Sequence, residues 1–195
     1  MDIKEKFNSQ PWAKALSYRK DAFAFMIDHV EKSAALGLNQ IIETGTARTP
    51  GNWQGDGQST LIWDWLAAEV NGTKVISIDI NPKAVENARE QTNRVKYIVG
   101  DSVEKLRTQT TKTISKVSLL YLDSLDFDWG LPNVAADHSL KELLVVWDQL
   151  PSGCLIVVDD CHSPYRGKQT AIASFMANQG ISPAFSGFQM GWIKP

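Results

Sequence analysis

The chain has 195 residues, of which 43% are hydrophobic and 22% charged, with a formal net charge of −2. That balance suits one α/β domain with a full core, and it offers no basic excess for neutralising nucleic-acid phosphates. No apolar run approaches the ~18 residues of a membrane span, and Met1 to Lys6 carry no signal-peptide core, so neither a membrane nor a nucleic-acid partner is expected. Two cysteines, Cys154 and Cys161, stand at opposite ends of one predicted strand. A strand of that length holds them roughly 20 Å apart, too far for a disulfide, and a reducing cytoplasm is the expected setting.

Taken in chain order, the pattern is strand and helix in alternation. Pro11 opens a first predicted helix with Ser9 near its cap, an apolar face from Trp12 to Ala34, and an end at Gly37. A strand runs to Glu43, followed by a long loop from Thr44 to Gln58. The next helix spans Ser59 to Val70, with Leu61, Trp65 and Ala68 on one face. Asn71-Gly72 turns the chain into a strand ending at Asp79, and Pro82 starts a helix to about Gln91. A third strand ends near Gly100, where Asp101-Ser102 caps a short helix over 103–107. The fourth strand ends at Asp123, and a loop over 124–133 leads to a helix over 135–149. The fifth strand ends at Asp159-Asp160, a helix covers 168–179, and the tail from Ala184 to Ile193 reads as one or two last strands. No repeat or linker interrupts this order. One domain over 1–195 is expected, doubly wound, with residues 1–37 as a helical cap and 38–195 as the core.

Five branched-residue runs each end in an acid: Glu43, Asp79, Asp101, Asp123 and the pair Asp159-Asp160. In a parallel sheet all of these ends lie along one edge, which is where open α/β sheets bind ligands. Carboxylates gathered there are costly unless a ligand or cation uses them. Gly45 permits a sharp turn, and Gly55, Gly57 and Ser59 lead into a helix N-terminus, which favours an anionic group. The loop lacks the third glycine of a dinucleotide fingerprint and the Gly-Lys-Ser/Thr of a phosphate loop. Asp79 stands where such folds place a carboxylate on ribose hydroxyls, and Asp101 can accept from a base amino group.

The series Glu43-Thr44-Gly45, Ile78-Asp79-Ile80, Gly100-Asp101-Ser102 and Leu122-Asp123 resembles the motif order of class I S-adenosylmethionine-dependent methyltransferases, over about Gln40 to Trp192. The resemblance implies a Rossmann-like sheet of seven mostly parallel strands, with the tail supplying the last two. It also implies that Glu43, Thr44, Gly45, Thr46, Gly57, Ser59, Asp79, Ile80, Asp101, Ser102 and Asp123 surround the cofactor. One departure is the stretch Arg48 to Asp56, which makes the first loop longer than is usual in that family.

Asp123 and Asp159-Asp160 end neighbouring strands, about 5 Å apart. Three acids that close repel unless protonated or bound to a cation, so Mg²⁺, Mn²⁺ or Ca²⁺ is expected at Asp123, Asp159 and Asp160. The arrangement is similar to metal-dependent O-methyltransferases of the catechol and macrocin types, in which the ion binds and acidifies an acceptor hydroxyl. The continuation from Ser163 to Phe175 resembles the macrocin type. The family's Lys or His, three residues after the first metal acid, is Asp126 here. Candidate catalytic residues are therefore Asp123, Asp126 and His162, whereas His138 reads as structural. Trp53, Trp129 and Tyr165 are candidate walls for a small-molecule acceptor. Two other readings remain open: a non-catalytic S-adenosylmethionine-binding domain, and a nicotinamide-dependent oxidoreductase with a degenerate loop. A homodimer is left open as well. An amino-methylating nucleic-acid enzyme is disfavoured, because Asp123-Ser-Leu-Asp126 lacks the Pro-Pro motif of that class.

Overall fold

A computed structural model describes residues 2–162 and 166–195. Among these the strands are β1 (Gln40–Thr44), β2 (Lys74–Asp79), β3 (Val95–Val99), β4 (Val117–Leu122), β5 (Leu155–Val158) and β6 (Met190–Ile193). They form one sheet in the order β3-β2-β1-β4-β5-β6. All neighbours are parallel except β5 and β6. The expected seven strands are corrected to six. In the tail only Met190–Ile193 runs as a strand, and a single bridge, Phe185 to Gly191, stands where a seventh would. Pro183 and Gly187 flank that bridge, and neither residue type favours a strand interior.

Alternating residues on the strands serve two cores. Ile41, Val75, Leu119, Tyr121, Leu155 and Val157 face one layer, with α1 (Ile3–Ser9), α2 (Lys20–Ala35) and α3 (Ser59–Glu69). Ile42, Ile76, Leu120, Leu122, Ile156 and Val158 face the other. There they meet α5 (Ser102–Arg107), α6 (Thr111–Ile114), α7 (Pro132–Leu144) and α8 (Thr170–Asn178), while α4 (Pro82–Arg89) links β2 and β3.

The first predicted helix is two pieces, and an unpredicted helix, α1, precedes it. Asp2 and Glu5 form a capping box that starts α1, and Gln10 is extended, as a residue before proline must be. A 3₁₀ segment, Ala13–Arg19, then kinks at Ser17 (φ 51°, ψ −124°) before α2 begins. The face that α3 buries is not the one carrying Leu61 and Ala68. Ile62, Trp63 and Leu66 point inward, and Ala68 is exposed. Ser59 and Thr60 are turned inward by hydrogen bonds to Glu43, which fixes the rotation of the helix.

Candidate active site

The carboxyl ends of β1, β2, β3 and β4 open into two adjoining cavities. One, of about 150 Å³, is walled by Gly45, Thr46, Ser59, Asp79 and Asp123, among others. The second, of about 180 Å³, is walled by Asp101, Ser102, Leu125 and His138. Asp79, Ile80 and Ser124 belong to both walls. Ser124 Oγ is buried and has no hydrogen-bond partner among the described residues. A buried unpaired hydroxyl in a cavity wall is free to bond whatever fills the cavity.

Gly45 makes this geometry. Its φ is 81°, and a Cβ there would overlap the carbonyl oxygen of Asp123. The amide of Gly45 donates to the Ile78 carbonyl at 2.8 Å, and the amide of Asp123 donates to the Thr44 carbonyl at 2.9 Å. The turn thus brings β1, β2 and β4 together at one point. Asp79 organises the next wall, accepting from the Thr46 amide at 2.9 Å and from the Asn81 amide at 2.7 Å. Asp101 caps α5 by accepting from the Glu104 amide. Ser102 Oγ lies 3.0 Å from His138 Nε2. The buried Glu142 carboxylate, 3.5 Å from His138 Nε2, raises the pKa of His138. His138 is thus both a packed residue and a cavity wall.

Several expected cofactor residues do not reach the cavities. Glu43 is completely buried, and its carboxylate accepts from Ser59, Thr60 and Ser77 at 2.6 to 2.7 Å and from Trp63 at 3.0 Å. It is a tie between β1, β2 and α3 rather than a ligand contact. Burial pushes its pKa up to about 7 against the pull of those four donors. Thr44 is buried within β1, and Gly57 packs against the Arg19 side chain.

The three acids expected to hold a metal do not converge. Asp160 has a left-handed backbone (φ 54°), which an Asp tolerates, and its own amide donates to Asp159 Oδ1 at 2.8 Å. This turn parts the two consecutive carboxylates. Asp159 faces inward, accepting from Tyr121 Oη at 2.6 Å, with Arg19 Nε 3.8 Å away. Asp123 and Asp160 meet the ammonium of Lys168, at 2.6 and 2.9 Å. Burial raises the pKa of Asp123 and Asp159, while Lys168 and Arg19 respectively oppose it. The residues as arranged therefore do not fit a three-carboxylate metal site, and no such cluster occurs among the described residues.

Asp126 is exposed and paired with Arg48 at 2.7 Å across the mouth of the first cavity, and this hydrogen bond lowers its pKa. His162 is gripped by Phe127, Trp129 and Phe188, with ring centroids 5.0 to 5.3 Å away. A third cavity of about 640 Å³ lies beside it, walled by Tyr18, Cys161, Phe188 and Met190, among others. Trp53 stacks on Trp12 at 4.9 Å, away from this cavity, and Tyr165 lies outside the described residues. Cys154 and Cys161 are buried free thiols.

Arg19 and Lys168 were missed by the sequence reading. Arg19 donates to the Gln54 and Gly55 carbonyls and covers Phe188 at 4.5 Å. No local pattern marks a lysine that will be buried. The crowd of acids called for a cation, and Lys168 stands between two of them.

This sheet order, with its glycine turn and row of acids at the carboxyl edge, defines a Rossmann-like α/β protein with a ligand cleft. A family profile described as a methyltransferase domain matches residues 54–161. The chain belongs to that family and is an S-adenosylmethionine-dependent methyltransferase. Solved structures share the fold. The O-methyltransferase NovP aligns with 90% of this chain and 80% of its own, at 13% identity and a TM-score of 0.63. CalS11, a TDP-rhamnose 3'-O-methyltransferase of calicheamicin biosynthesis, aligns with 99% of this chain and 87% of its own, at 12% identity and 0.63. The MycE methyltransferase of the mycinamycin pathway, in complex with Mg and SAH, aligns with 86% of this chain and 47% of its own, at 15% identity and 0.59. No curated protein matches the chain. Among the described residues, no helix is long and apolar enough to cross a membrane.

Proposed function

We propose that the protein transfers the methyl group of S-adenosylmethionine to a hydroxyl of a small molecule. The carrying observation is the position of Asp123. It walls the cleft beside Gly45 and is joined through Lys168 to Asp160, whose next two residues, Cys161 and His162, wall the larger cavity. This supports a cofactor on one side of Asp123 and an acceptor on the other. The O-methyl chemistry named for NovP and CalS11 supports a hydroxyl acceptor.

S-adenosylmethionine supplies a methyl made electrophilic by its sulfonium charge. Asp79 keeps a free lone pair on each oxygen for ribose hydroxyls, beyond the amides it already accepts. Asp101, Ser102 and His138 flank the adenine side, and Ser124 Oγ provides a donor between the two cavities. Thr46, Ser59 and Ile80 complete the walls. Asp123, in the cleft wall and held as a carboxylate by Lys168, takes the acceptor's proton as the new oxygen–carbon bond forms. In-line alignment supplies much of the rate. Asp126 is held by Arg48 and does not serve as base, and His162 is an acceptor wall.

Calorimetric titration with S-adenosylmethionine and its demethylated product, with NAD as control, tests the cofactor. Micromolar binding of the first two and none of NAD is expected. Incubation with a panel of small alcohols, phenols, sugars and amines, read by mass spectrometry, tests the acceptor. Methylation confined to amines would overturn the hydroxyl reading.

A further inference from the structure

Building on the methyl-transfer reading, the geometry points to Lys168 as the resident cation of this site, a positioning residue that takes the charge-balancing place of a divalent metal between Asp123 and Asp160. Its ammonium lies 2.6 Å from Asp123 Oδ1 and 2.9 Å from Asp160 Oδ2, and the side chain is wholly buried. The backbone is shaped to deliver it. Gly167 has φ 131°, and a Cβ there would stand 2.7 Å from the Asp160 carbonyl oxygen and 2.8 Å from the His162 amide nitrogen. Only glycine lets the segment press so closely on the acid turn, and Lys168 is the next residue.

Each acid meets a cation of the protein itself, leaving one net negative charge over the three. Asp123 and Asp160 share Lys168, and Asp159 turns away to Tyr121 and Arg19. A divalent cation seeks several converging oxygens at ~2.0 to 2.6 Å. Here two acids converge, and each already gives an oxygen to a wholly buried ammonium. Recruiting them for a metal means crowding that charge or expelling it from its partners, both costly for a wholly buried ammonium. The transfer is complete without an ion. The sulfur–methyl bond breaks with its electron pair passing to sulfur, the oxygen–methyl bond forms, and the hydroxyl proton passes to Asp123. Lys168 exchanges no proton and holds Asp123 in place.

The test is Mn²⁺ binding by the full chain, read by electron paramagnetic resonance, alongside turnover with and without EDTA. The wild type is expected to bind no Mn²⁺ saturably and to keep its kcat in EDTA. Lys168→Arg retains a cation and is expected to stay blind to the metal. Lys168→Met leaves Asp123 and Asp160 uncompensated, and it should tighten Mn²⁺ binding by about tenfold or more. Saturable Mn²⁺ binding by the wild type, lost in Asp123→Asn, would overturn the inference. So would a folded Lys168→Met that binds Mn²⁺ no better than the wild type. If Lys168→Met does not fold, the wild type and Lys168→Arg decide the matter alone. Calorimetry with the demethylated cofactor on the same samples reads the methyltransferase assignment separately, so failure of one is distinguishable from failure of the other.

Discussion

Gly45 and Glu43 are adjacent to the same turn, yet they answer to different physics. The glycine is required by space, since its φ of 81° and the Asp123 carbonyl leave no room for a methyl group. Gly45→Ala is expected to cost about 2 kcal/mol or more in stability and to weaken cofactor binding, as urea melts and calorimetry would show. Glu43 is governed by burial. Its native pKa of about 7 lies above the ordinary value of 4.5, so between those values the folded chain keeps a proton that the unfolded chain has lost. Stability from this group is fully present below about pH 4.5 and falls as pH rises towards 7, by about 3 kcal/mol. Urea unfolding from pH 4.5 to 8 should show that slope, and Glu43→Gln should flatten it. Identical slopes in both proteins would refute the assignment. The motif acid was legible as Glu43, but its role was not. A pattern of letters cannot reveal that Ser59, Thr60, Trp63 and Ser77 will occupy its oxygens.

At the scale of elements, the strands and the helices between them were readable because buried strands need branched apolar runs and turns need Gly, Pro and Asn. The N-terminal segment was misread because a continuous apolar periodicity hides breaks in the backbone. The Asp2 and Glu5 spacing of a capping box was visible and marks α1 directly. The break at Ser17 carries no sequence mark, since serine has no preference for φ 51°. Ser17→Gly relieves that conformation and is expected to raise stability by about 0.5 to 1 kcal/mol, measured by denaturant melt. The Arg48–Asp126 pair spans two loops in open solvent, with side chains 52% and 67% exposed. Asp126→Asn should change stability by less than about 1 kcal/mol and leave kcat within about threefold. A loss of kcat of about a hundredfold or more would restore Asp126 as general base.

Across the whole molecule the N-terminal residues are structural as well as a cap. Phe7, Leu16, Phe23, Met26, Ile27 and Val30 are buried in the same core as Trp63 and Tyr121. Removing residues 1–37 would strip one face of the sheet, and the shortened chain is expected to lack a cooperative melt by circular dichroism. Arg19 extends this link to the site, because it joins the first loop to Asp159 on the far side of the sheet centre. Truncating it to alanine leaves a buried acid without its cation, an effect of about 3 kcal/mol. The melting temperature should drop, and the drop should be larger at neutral pH than for Asp126→Asn.

The sequence by itself determined the strand and helix alternation, the glycine turn at Gly45 and the row of acids at one edge. These are local consequences of apolar periodicity and turn chemistry. Only the tertiary structure decided where those acids point and what balances them. The left-handed turn at Asp160 parts Asp159 from Asp160, Arg19 arrives from the N-terminal segment, and Lys168 comes from beyond β5. Burial and charge pairing act between residues far apart in the chain, so the neighbours that settle a carboxylate's role are set by packing and not by its own motif.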